Sequence, residues 1–202
     1  MCSNRWWKRR PIGRYDIQIY NSGVLGSEKV TYDYTKSGIV EMCVVGTTMW
    51  SETPKMSIPD FPFLFDSVEH ARVCYQGELG EYIAEDLEST QPLKLLSWYP
   101  NGAREFTSNK KLESLDDFNG QKLRMPNNPI HVKLAESLGA NVVIMDMGEV
   151  FTALEQGVAD GQDNPLATVK TEAGTKFRIM FMTQIISFHL WNYLQGRSSG
   201  TA

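Results

Sequence analysis

"GQKLRMPNNPIHVKLAESLGANVVIMDMGEV", residues Gly120 to Val150, decides the fold class because it alternates strand and helix signals without interruption. "QKLRM" is a short apolar run that reads as a strand. Asn128 followed by Pro129 is a helix start, with proline at the first helical position where its missing N–H costs nothing. "IHVKLAESL" continues that helix and Gly139 ends it. "ANVVIM" is again β-branched and apolar. Asp146 then caps a second helix with Glu149 at its third position, and Gly157 stops it.

The rhythm extends in both directions. Upstream, "RYDIQIY" (Arg14 to Tyr20) alternates polar and apolar residues and predicts a strand. Ser27 is placed to cap a helix running to Lys36, with Gly38 beyond it. "IVEMCVVG" (Ile39 to Gly46) predicts a strand covered on both faces, so these elements predict a βαβ unit with parallel strands. "SIPDFPFLFDS" is broken by prolines and reads as an extended crossing segment. Asp66 and Glu69 predict a capping box opening one helix, "SVEHARVCYQGELGEYIAEDL". "LKLLSWY" (Leu93 to Tyr99) predicts a buried strand closed by Pro100, Asn101 and Gly102. Ser114 and Asp117 cap a short turn, and Asn119-Gly120 reverses the chain. "VADGQDNP" reads as a strand end and turn before a further helix. The chain is therefore expected to be α/β with mainly parallel sheets.

Composition narrows the function. The chain has 202 residues, 42% hydrophobic and 22% charged, with a formal net charge of −4. These are values of a soluble globular protein without the basic footprint of a nucleic-acid binder. Cys2, Cys43 and Cys74, like His70, His131 and His189, are too scattered for a disulfide framework or a zinc site. "MCSNRWWKRRPI" at the start lacks the apolar core of a signal peptide. "FRIMFMTQIISFHLWNYLQ" (Phe177 to Gln195) is the most apolar stretch but carries Arg178, Gln184, His189 and Asn192, so it reads as a buried strand or helix rather than a membrane span. "GRSSGTA" reads as a flexible tail.

Ligands of open α/β sheets bind beyond the carboxyl ends of the strands. Arg124 ends "QKLRM", Arg104 follows "LKLLSWY", Asn164 lies after "VAD", Gly46, Thr47 and Thr48 follow "IVEMCVV", and Met147 opens the helix after "ANVVIM". Two guanidiniums and an amide at strand ends suit a carboxylate, since arginine matches both oxygens with a planar fork. The competing reading makes Arg124 a solvated strand-end charge or a partner of Asp116 or Asp117. Nucleotide, hydrolase and zinc-protease motifs are missing from the sequence, as is any activated nucleophile, so no catalytic residue, cofactor or metal is expected.

"NGAREFTSNKKLESLDDFNGQKLRMPNNPIHVKLAESLGANVVIMDMGEVFTALEQGVADGQDNP", together with "NSGVLG", "FPFLF" and "FDSVEHA" upstream, resembles the solute-binding subunit of tripartite ATP-independent periplasmic (TRAP) transporters, the DctP-type family, near its sialic-acid-binding branch. The resemblance runs from Gly13 to Lys176. It implies a two-domain periplasmic binding protein with parallel or mixed sheets flanked by helices, incomplete at both ends, with its ligand cleft between the domains. The divisions it implies are a leader 1–12, a partial first domain 13–101, a second domain 102–186, and a crossover remnant with tail 187–202. It further implies a periplasmic, monomeric, non-enzymatic protein that hands an organic acid to TRAP membrane subunits. Arg124 is then the residue that holds the carboxylate, assisted by Arg104 and Asn164, with Gly46, Thr47 and Met147 lining the pocket. Sialic acid binders carry an acidic residue at the position of Gly46 and an aromatic ring near Met147, so a sugar acid, keto acid or dicarboxylate is expected instead. The alternatives that stay open are a small α/β enzyme acting on a carboxylic acid and a fragment that no longer binds.

Overall fold

The computed structural model describes residues 17–21, 23–173 and 180–196, with side chains left undescribed at Thr47, Pro100, 171–173 and 180–196. The strands are β1 (Met42–Val45), β2 (Leu93–Ser108), β3 (Lys122–Met125), β4 (Asn141–Ile144), β5 (Gly161–Pro165) and β6 (Met180–Gly196). The helices are α1 (Glu28–Lys36), α2 (Val68–Tyr75), α3 (Glu78–Thr90), α4 (Pro129–Ser137), α5 (Met147–Glu155) and α6 (Leu166–Ala173). All six strands form one mixed sheet in the order β1-β6-β2-β5-β3-β4.

The stretch from Gly120 to Val150 forms the expected parallel unit. Strand β3 pairs in parallel with β4, Arg124 opposite Val143, and with β5, Arg124 opposite Gln162. Local chemistry fixes the helix starts. The Asn128 side chain accepts the Ile130 N–H at the head of α4, and Asp146 and Glu149 form a reciprocal capping box on α5. Gly139 follows α4 with φ of 82°, a left-handed conformation that favours glycine. Ser114 and Asp117 make the expected capping box on the turn Leu115–Phe118.

Five expectations are corrected. Residues 17–21 form no strand, and Ile17, Ile19 and Tyr20 are exposed. β1 instead pairs antiparallel with β6, so no parallel βαβ unit opens the described chain. Only Cys43 and Val45 of β1 are buried, because β1 lies at the sheet edge and leaves Met42 and Val44 on an open face. The helix expected across "SVEHARVCYQGELGEYIAEDL" is broken at Gln76-Gly77 into α2, capped by Ser67 rather than Asp66, and α3. Finally, β2 does not stop at Pro100. It continues through Gly102, with φ of 123°, to Ser108, and its pairing with β6 shifts register between Pro100 and Gly102. A bulge is where a sheet tolerates proline's missing donor, and glycine accepts the unusual backbone angle.

The core is divided. Phe106, Leu112, Phe118, Leu123, Met125, Ala135 and Ala140 pack together under α4, with Phe106 and Phe118 edge-to-face at 4.9 Å. Two further clusters lie toward the first half of the chain. Tyr32, Cys43, Val45, Met49, Leu87 and Leu93 form one, and Met56, Phe65, Ala71, Tyr75 and Ile83 the other. The apolar stretch near the C-terminus is indeed a strand, β6, while the tail beyond Gly196 lies outside the described residues. No helix among the described residues is long and apolar enough to cross a membrane.

Candidate functional site

Side chains alternate faces along a strand, so register alone sorts the polar residues of β2, β3 and β5. Arg124 sits opposite Gln162, and Asn164 sits opposite Glu105, which places Arg124, Gln162, Asn164 and Glu105 on one face. Asp163 faces the other way, on the side of Phe106 and Leu123, beneath α4. Neither Arg104 nor Asn164 lies in a loop, as the sequence led one to expect. Arg104 is inside β2 and Asn164 inside β5. Every residue of "GQDNP" is buried. The strand was illegible because its polar side chains are satisfied by one another rather than by water.

Arg104 is 3% exposed and fully engaged by Asp163. Its Nε donates to Asp163 Oδ2 at 2.7 Å, and its Nη2 donates to Oδ1 at 3.0 Å and to the Asp163 carbonyl at 2.7 Å. Arg104 and Asp163 stand diagonally across the β2–β5 pair, a spacing that a long side chain bridges. His131 on α4 extends the chain. Its Nδ1 lies 3.1 Å from Asp163 Oδ2, and its Nε2 lies 3.0 Å from Asp60 Oδ1, at an angle outside hydrogen-bond geometry. Asp60 also accepts from Asn128 Nδ2 at 2.8 Å. Burial opposes the charge on Asp163, yet Arg104 and His131 outweigh it and hold the carboxyl well below its usual range. Burial likewise opposes charge on His131, and the carboxylates of Asp163 and Asp60 raise its pKa.

Arg124 is equally buried, at 3% exposed, but differently placed. Its Nε and Nη2 donate to the Met145 carbonyl at 3.1 and 2.8 Å. Among the described residues no carboxylate forms an ion pair with it. Asp117, one partner suggested by sequence, is instead held by the Glu113 and Ser114 N–H groups. Burial pulls the Arg124 guanidinium down to about 10, although it remains charged at neutral pH. The Met145 carbonyl thus aims the fork and leaves its positive charge unneutralised.

The remaining sequence candidates gather with uneven detail. Asn164 donates through Nδ2 to Gln162 Oε1 at 2.8 Å and approaches Met147 Sδ at 3.5 Å, so β5 and the start of α5 meet beside Arg124. Gly46 is buried and its N–H donates to Glu28 Oε2 at 3.2 Å, an oxygen that also accepts from Thr48 Oγ1 at 2.9 Å. Thr47 begins a 3-10 segment, Thr47–Ser51. The negative field of Glu28 reaches both Arg104 and Arg124. Sequence reasoning missed Glu28, which reads as an ordinary first-turn acid of α1. It also missed Glu105, whose Oε2 is buried without a hydrogen-bond partner among the described residues, on the face that carries Asn164. The strand pairing that sets it opposite Asn164 is invisible until β5 is known. Among the described residues no cluster of three or more His, Cys, Asp or Glu side chains could hold a metal.

Comparison with known proteins places the chain in a family. The profile of the bacterial extracellular solute-binding protein family 7, DctP, matches residues 4–186. The sialic acid-binding periplasmic protein SiaP of Vibrio cholerae is 29% identical over 79% of this chain and 50% of its own length. The 2,3-diketo-L-gulonate-binding periplasmic protein YiaO of Escherichia coli is 28% identical over 80% of this chain and 50% of its own. The crystal structure of a TRAP periplasmic solute binding protein from Xanthobacter autotrophicus Py2 with bound β-D-galacturonate superposes with a TM-score of 0.85 at 29% identity, covering 92% of this chain and 62% of that one. This chain therefore spans about half the length of the curated relatives it matches. The chain belongs to the bacterial extracellular solute-binding protein family 7, the DctP-type solute-binding proteins of TRAP transporters.

Proposed function

We propose that this sequence serves to capture a hydroxylated monocarboxylic acid, a sugar acid, in the periplasm and to deliver it to TRAP membrane subunits, without chemical turnover. The observation that carries the reading is Arg124: a buried guanidinium at the carboxyl end of a parallel strand, aimed by the Met145 carbonyl and lacking an acidic partner among the described residues. An isolated buried charge is costly, and a ligand carboxylate supplies the missing counter-ion through a charge-assisted, two-pronged bond. Asn164 stands beside it to donate a further hydrogen bond. Glu105 Oε2, buried and unpaired among the described residues, is an acceptor that a sugar hydroxyl would satisfy, whereas an acid without hydroxyl groups would leave it unmet.

Arg104, expected to assist directly, is read as a positioning residue, because Asp163 already neutralises it. The reading includes a ligand cleft between two lobes that divide near Asn101 and Gly102, a division supported by the β2 bulge there and by the separate apolar cores. Names of similar proteins support the ligand class: galacturonate in the superposed structure and 2,3-diketo-L-gulonate and sialic acid in the two relatives. The test is thermal unfolding with D-galacturonate, D-glucuronate, succinate and pyruvate. A ligand at ~100 times its Kd adds roughly 2.7 kcal/mol of stability. A shift with a uronate alone supports the reading, and consumption of any of these acids would replace it with an enzyme.

A further inference from the structure

Contacts from the first half of the chain converge on the few residues that follow Arg124. Trp50 Nε1 donates to the Asn127 carbonyl at 2.8 Å. Asp60, at the end of the 3-10 segment Pro54–Asp60, accepts from Asn128 and lies 3.0 Å from His131 Nε2. Asp60, Asn128 and His131 are each at most 2% exposed. The apolar cores do not join these parts, since Met56 packs with Phe65, Tyr75 and Ile83 while Met125 and Ala135 pack with Phe106 and Phe118. A polar junction between separate cores separates more readily than an apolar one, because water can take over each partner.

We propose that Asp60 and His131, with Asn128, form a charge-dependent latch that holds the segment Pro54–Asp60 against the β3–α4 unit and thereby positions Arg124 for ligand capture. His131 is a positioning residue here, placed behind the site rather than in it. Among the described residues the charged groups facing it are Asp60 from the 3-10 segment and Asp163 from β5, with Arg104 from β2 behind Asp163. The field of Asp60 also reaches the buried Tyr75 hydroxyl. Because both carboxylates raise the His131 pKa, the latch is closed at low pH and loses its charge as pH rises through the folded-state value.

The role in capture rests on the function proposed above, whereas the latch itself does not, so two measurements separate them. The first is amide hydrogen exchange of the full chain, unliganded, across pH and corrected for intrinsic rates. Protection of the peptide spanning residues 54–61 should fall by about ten- to a hundredfold as His131 deprotonates, the loss expected when a close opposite-charge contact loses one of its charges, while α3 stays unchanged. His131→Gln and Asp60→Asn should each abolish that pH dependence, and Asp60→Asn keeps an acceptor for Asn128 should the histidine variant fail to fold. A wild-type profile identical to that of Asp60→Asn would overturn the latch. The second is D-galacturonate affinity. Both substitutions should weaken it by a similar factor, and the double variant by no more than the worse single one. Unchanged affinity would remove the latch from ligand capture, and a wild-type chain that binds no uronate would sink the function while exchange still judges the latch.

Discussion

Arg124→Met separates a ligand-binding charge from a structural one, because the two roles predict opposite balances of stability and affinity. Burial lowers the guanidinium well below its usual range, to about 10. At about 1.4 kcal/mol per pH unit, the folded protein carries roughly 3 kcal/mol of desolvation at neutral pH on account of this one cation. The sign follows from the lowered value: the burden is present throughout the range in which the folded-state group is charged and is relieved only in strong alkali. Hydrogen bonds to the shared Met145 carbonyl offset about 1.5–3 kcal/mol of it. The unliganded variant should therefore unfold within a few degrees of wild type, at roughly 2–4 °C per kcal/mol for a chain of this size. Binding should behave differently. A ligand carboxylate buried without its partner costs about 3–5 kcal/mol, roughly a two hundred- to five-thousandfold loss in affinity. Calorimetric titration of D-galacturonate into both proteins, beside thermal unfolding of each without ligand, gives the two quantities. A variant that binds within tenfold of wild type, or that melts more than ten degrees lower unliganded, would refute the assignment.

Asp163→Asn strips Arg104 of its counter-ion and should cost about 3–5 kcal/mol in denaturant unfolding. Since the Asp163 carboxyl is held well below its usual range, its contribution is present above the unfolded value and lost as pH falls through the folded one, so the acid limb of the melting curve should flatten in the variant. Glu105→Gln should leave unliganded stability unchanged or higher while lowering uronate affinity about tenfold. An equal loss for an acid without hydroxyls would contradict the hydroxyl-acceptor role. Gly80→Ala would bring a methyl to 1.9 Å from the Tyr75 carbonyl oxygen and 2.9 Å from Trp98 Nε1, so the denaturation midpoint should drop by at least about 1–3 kcal/mol of stability.

Much of the fold was readable locally. The α4 and α5 starts are set by Asn128 and by the Asp146–Glu149 pair within one helical turn, and Gly139 marks its own stop. The parallel β3–α4–β4 unit follows from apolar runs separated by capped helices. Where partners are distant, the reading failed. "GQDNP" looks like a turn because its polarity is local, while its burial comes from Arg104, fifty-nine positions away from Asp163, and from the strands on either side. Pro100 looks like a terminator because its missing donor is a local fact, yet β6 accommodates it with a register shift.

The candidate site divides in the same way. Sequence alone identified Arg124, Arg104 and Asn164 as the residues suited to a carboxylate, since a planar fork and an amide at strand ends carry that chemistry wherever they stand. Only the tertiary structure distinguished the two arginines. Charge compensation is a property of space rather than of sequence. Asp163 turns toward the α4 side and satisfies Arg104, whereas Arg124, on the opposite face, meets a backbone carbonyl and has no carboxylate partner among the described residues.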